Sequence, residues 1–132
     1  MRGWVVPCRG RWRGGVPVIF SAAQVLFTAA VCAVLTAAVG WWWLPRPAWW
    51  DVVATGVLAG AAVAVWRLAA NMGPLNDDGL PSVSANDLAA PVLVFVVLTI
   101  YGDLRVPAEH RRFRQVRALA TLLAAVVNVV TI

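Results

Sequence analysis

The chain has 132 residues, 61% of them apolar and 13% charged, with eight tryptophans and a formal net charge of +5. Eleven basic and six acidic side chains cannot wet the surface of a soluble domain, in which about a quarter of the residues are normally charged. A disordered chain, a disulfide scaffold and an ordinary soluble enzyme are excluded. The class that fits is an all-α integral membrane protein, a bundle of about four transmembrane helices.

Residues 1–15 form a basic, Gly-rich N-terminal tail holding Arg2, Arg9, Arg11 and Arg13. Residues 16–132 make a single helical domain. Its first span is predicted at 17–44, with Pro17 suited to an opening helical position. The apolar stretch of about 24 residues exceeds the roughly 7–15 of a signal peptide, so an uncleaved span is expected. The joint that follows carries Trp41, Trp42, Trp43, Trp49 and Trp50 around Pro45, Arg46 and Pro47. Tryptophan prefers the headgroup level, and two prolines stop a continuous helix. A tight interfacial turn is therefore expected there.

The second span is predicted at 49–70, with Asp51 complementing the helix dipole in its first turn. Trp66 and Arg67 mark its far interface, and Asn71 and Gly73 end it. Residues 71–87 are a polar, turn-rich connector, and Asp87 is expected to cap the next helix. The third span, at 88–102, is the weakest. It is long enough for a thin crossing, and a re-entrant segment is the alternative. Its run of Val92, Val94, Val96, Val97, Thr99 and Ile100 suits a strand in water, but a lone strand in lipid leaves its backbone unpaired. The fourth span, at 107–132, opens at Pro107 with Glu109 in its first turn. Arg111, Arg112 and Arg114 stand in the headgroups as interfacial anchors.

Four crossings place Arg2, Arg9, Arg11, Arg13 and Arg67 on one side. Arg46, Arg105, Arg111, Arg112, Arg114 and Arg117 fall on the other. Five against six does not orient the chain. A re-entrant third segment, insertion in both orientations, or a true start near Val16 would each resolve the conflict. No recognition fold accompanies the basic residues, so nucleic acid is not an expected partner. The absence of lysine points to a GC-rich genome, such as that of an actinobacterium or its phage.

The motif that stands out is Gly56-xxx-Gly60-xxx-Ala64, a small-residue groove on one helix face. Ala29, Ala33 and Ala37 repeat at the same spacing in the first span. Two uses fit: packing of these two helices on each other, or an interface with a further chain. On the second use, Gly60→Ile weakens association. Beside the alanines runs a polar stripe, Gln24, Thr28, Cys32 and Thr36. Gln24 and Asn128 are amides within spans, and each needs a partner in lipid. No ionisable residue falls at a span midpoint, which weighs against proton-coupled transport. His110 beside Glu109 reads as a solvated pair, since adjacent residues on a helix face different ways. Asp77, Asp78 and Asp87 lack calcium-loop spacing, and Ser82 and Ser84 have no base placed to activate them. No catalytic residue, cofactor or metal ligand is predicted.

By size and composition the chain resembles small phage and plasmid membrane proteins and accessory subunits of membrane complexes. It has neither the deep glutamate of small multidrug transporters nor the Gly-Gly-Thr-Thr-Phe run of fluoride channels. The expectation is a non-catalytic multi-pass protein of the bacterial cytoplasmic membrane. Its expected partners are the lipid bilayer and either copies of itself or other membrane subunits. A holin-like pore or an exclusion protein is the first rival, supported by the polar stripe, and a small transporter is the second.

Overall fold

A computed structural model of the chain describes residues 21–71, 85–107 and 109–131. The basic tail, Cys8, Pro17, Gly73 and the acidic pair Asp77–Asp78 lie outside the described residues, as do Ser82 and Ser84. The described residues form four α-helices: α1 (Ala22–Trp43), α2 (Trp49–Ala69), α3 (Ala85–Leu104) and α4 (His110–Val130). All four are long and apolar enough to cross a membrane. The protein is an all-α membrane bundle.

Local chemistry sets the helix ends. Ser21 caps α1 through a reciprocal box: the Gln24 backbone N–H donates to Ser21 Oγ at 3.3 Å, and the Ser21 N–H donates to Gln24 Oε1 at 3.0 Å. Pro45 cannot continue α1, and a single 3-10 turn, Arg46–Ala48, reverses the chain into α2. The expected hairpin turn is thus one helical turn long. α2 ends at Ala70 as its C-cap, one residue before the predicted stop.

Two predicted helix starts shift. α3 begins at Ala85, so Asp87 lies inside the first turn and not at the cap. α4 begins at His110 with Glu109 as N-cap, so Pro107 and Glu109 precede the helix instead of opening it. The first bond of α4 runs from the Phe113 N–H to the Glu109 carbonyl at 3.0 Å, which leaves Pro107 in the connection.

Consecutive helices run antiparallel and α4 closes back on α1, so the four are arranged as a ring in chain order. α3 is one continuous helix, long and apolar enough for a crossing, where a re-entrant segment was the alternative. At 1.5 Å per residue its 20 residues extend about 30 Å, and it meets α2 at both ends. The centre of the bundle is a layer of small and branched side chains: Cys32, Ala59, Val63, Val94, Leu98 and Ala124. Leu44, Ala48, Val52 and Val116 form a second layer toward the turn. Phe27, Val34, Val57, Val65, Val92 and Leu122 project outward, where only lipid can cover them without cost.

The closest packing is between α1 and α2. A β-carbon placed on Gly56 would stand 2.9 Å from the Ala33 carbonyl oxygen and 2.9 Å from Ala37 Cβ. One on Gly60 would stand 2.8 Å from the Ala29 carbonyl oxygen and from Ala33 Cβ. The glycine groove of α2 is therefore filled by the alanine ridge of α1, and Ala64 packs at the margin of the same core. An association surface for another chain has to lie elsewhere on the molecule.

Candidate functional site

The polar side chains gather in two layers, one at each end of the bundle. At the end bearing the 71–87 connection, three helix termini converge on Arg67. Arg67 is in the last turn of α2 and Asp87 in the first turn of α3, so each charge complements the dipole of its own helix. Arg67 Nη2 lies 3.6 Å from Asp87 Oδ1. Its Nε donates to Asn128 Oδ1 at 2.9 Å, and Nη2 donates to the Asn128 carbonyl at 3.1 Å. Arg67 and Asp87 are each 5% exposed and Asn128 is fully buried. One guanidinium thus ties α2 to α3 and α4.

Beside this cluster Thr28 Oγ1 donates to Thr131 Oγ1 at 3.2 Å, joining the start of α1 to the end of α4. Gln24, Thr28, Arg67 and Thr131 border a cavity of about 10 Å³, which has room for about one water. Asn128 Nδ2 is buried without an acceptor among the described residues.

At the tryptophan end the carboxylate is Asp51. Tyr101 Oη donates to Asp51 Oδ1 at 2.6 Å, and Arg105 Nε lies 3.3 Å from the same oxygen. Phe113 packs on this layer, with its ring centroid 6.0 Å from that of Tyr101. Gly102 makes room for it, since a β-carbon there would meet Phe113 Cε1 at 2.6 Å. Trp43 Nε1 donates to Gln115 Oε1 at 3.0 Å, which joins α1 to α4. Tyr101→Phe is expected to cost about 1.5–3 kcal/mol, as for a partly buried hydrogen bond to a charged acceptor. Thermal unfolding in micelles measures it, with the exposed Asp103→Asn as a neutral reference. An unchanged melting temperature for Tyr101→Phe would show that Arg105 alone holds Asp51.

The predicted polar stripe divides. Thr28, Cys32 and Thr36 are buried inside the bundle. Gln24 is exposed and is used in the α1 cap. The Thr36 hydroxyl is buried without a partner among the described residues. All five tryptophans of the joint are exposed, as are Arg111, Arg112 and Arg114. They share one end of the bundle, the placement expected of headgroup anchors. Arg112 reaches back to Glu109 at 2.7 Å. Arg117, a turn deeper, lies 4.6 Å over the Phe95 ring and donates to Thr99 Oγ1 at 3.0 Å.

The burial of Arg67 is the feature that sequence reasoning missed. Its signal was present: Arg67 follows Gly60 by seven residues and Val63 by four, which places it on the packed face of α2. Asn128 follows the buried Ala124 by four in the same way. Three or more His, Cys, Asp or Glu side chains do not cluster in metal-binding geometry among the described residues. No family model, curated relative or solved structure matches the chain.

Proposed function

We propose that the protein is a non-catalytic multi-pass component of a bacterial cytoplasmic membrane. It works by lateral helix association with copies of itself or with subunits of a larger membrane complex. The observation that carries this reading is the division of the molecule into a sealed interior and an apolar exterior. Val63, Val94, Leu98 and Ala124 fill the bundle between its two polar layers. The charges in those layers are engaged in holding helices together. A substrate path would have to open this dry layer, whereas lateral association needs only the faces already turned outward. The α2 stripe of Val53, Val57, Ala61 and Val65 is one such face, regular at four-residue spacing and exposed along its length.

The test is subunit counting in bilayers by stepwise photobleaching of singly labelled chains. More than one chain per particle is expected, and Ala61→Trp should reduce the number while leaving the melting temperature in micelles unchanged. Single chains at every protein density would reject self-association, and a single chain that diffuses as fast in host membranes as in pure bilayers would reject association with other subunits.

A second reading has its own observation. The Thr36 hydroxyl and the Asn128 amide nitrogen, without hydrogen-bond partners among the described residues, lie inside the bundle, as lumen-facing groups would in a pore that opens. A voltage-sensitive dye during controlled expression separates the two. An unchanged potential is expected for an association protein, and rapid depolarisation suppressed by Thr36→Val would establish the pore.

A further inference from the structure

The reversal between α1 and α2 encloses a half-open cleft of about 600 Å³ at the tryptophan end. Its walls are the indoles of Trp41, Trp42 and Trp49 with Leu44 and Val52, and Arg46 is the charged side chain among its lining residues. That volume lies within the roughly 300–1,000 Å³ range of small-molecule sites. The position of Arg46 is built. Pro45 precedes it, Pro47 follows it, and the Ala48 N–H closes the turn on the Pro45 carbonyl at 2.9 Å. The nearest carboxylate in sequence, Asp51, is held by Tyr101 and Arg105, and Arg46 has no ion pair among the described residues.

We propose that this cleft binds one anionic phospholipid, with Arg46 on the phosphate and the indole and aliphatic walls around the glycerol and upper acyl chains. The chemistry selects that occupant. A guanidinium presents a planar fork of donors that matches two phosphate oxygens. Indole rings are amphipathic and favour the depth where headgroup meets chain. An aromatic-walled cleft can also hold a quaternary ammonium, but Arg46 in the same wall repels a second cation. Arg111 and Arg114 lie at the same end of the bundle and add to the positive field there, while Arg105 and Arg112 are paired with Asp51 and Glu109. A lipid bearing net negative charge is therefore favoured over a zwitterionic one.

The experiment uses the whole chain in mild detergent, supplied with equal amounts of phosphatidylglycerol and phosphatidylcholine. Co-purifying lipid is then counted by native mass spectrometry. One retained phosphatidylglycerol is expected, in about tenfold preference, since both lipids offer a phosphate and only phosphatidylcholine brings a second cation beside Arg46. Arg46→Gln should abolish the preference, and Arg46→Lys should restore part of it. Arg114→Gln, an exposed arginine on α4 outside the cleft, should lower it far less than Arg46→Gln does. Arg46 is exposed and bonded to no described helix, so its variants should melt as the parent does. Equal retention of the two lipids, or the same preference in Arg46→Gln, would overturn the proposal. So would loss of the lipid to millimolar inorganic phosphate, which would make this a free-phosphate site instead of a lipid site.

Discussion

Gly60→Ile is expected to abolish the folded bundle, and the loss should appear in the isolated chain before any effect on assembly. A β-carbon at Gly60 meets the Ala29 carbonyl and Ala33 Cβ at 2.8 Å, and one of these two obstacles is backbone. A flexible side chain could rotate away, but a helix backbone can yield only by moving the whole of α1. Gly60→Ala alone should cost about 1–3 kcal/mol, the usual penalty for overpacking a tight site. Isoleucine adds a branched side chain in the same place and should exceed that. Gly40 supplies the control. A β-carbon there would meet Thr55 Oγ1 and Val52 Cα at 3.5 Å, an ordinary contact, so Gly40→Ala should be tolerated. Unfolding in mixed micelles, followed by the near-ultraviolet signal of the tryptophans, gives the order. A Gly60→Ile chain that melts with the parent would mean that α1 and α2 do not pack through this groove.

Asp87→Ala should be nearly as damaging for an electrostatic reason. Asp87→Ala takes a carboxylate away from a buried guanidinium, whose described bonds to Asn128 go to neutral oxygens. Breaking a buried ion pair from one side typically costs about 3–5 kcal/mol, because an uncompensated charge is left in a low-dielectric site. Removing both charges with Arg67→Met and Asp87→Leu should recover most of that loss, since the pair pays desolvation on both partners. The double-mutant cycle in the same unfolding assay measures the coupling. Equal stability of Asp87→Ala and the parent would show that the pair does not hold α2 to α3.

These expectations rest on different levels of the molecule. The crossing helices were legible because apolar runs near 20 residues can satisfy their backbones in lipid only as helices. The turn at residues 44–48 was legible because two prolines and five tryptophans admit few other readings. The third span was ambiguous on length alone. It is a continuous helix that runs the length of α2, because Asp87 and Tyr101, at its two ends, find Arg67 and Asp51 there. The helix starts at Asp87 and Pro107 were misplaced by a few residues, since several nearby residues can begin a helix equally well.

Composition and periodicity by themselves determined the class of the protein, the apolar helices among its described residues and the residues able to pack closely. Those are properties of one segment facing a known solvent, and a bilayer judges each segment separately. Only the tertiary structure decided which partner each face receives. The Gly56–Gly60 groove suits any backbone with small side chains, and it goes to α1 because a turn of a few residues holds α1 beside it. Arg67 looked like an interfacial anchor because it stands near a helix end. It became the buried tie among three helices because Asp87 and Asn128, 20 and 61 residues further along the chain, arrive at the same depth. The local spacing places Arg67 and Asn128 on packed faces, but which groups meet there is decided only when the folded bundle brings them together.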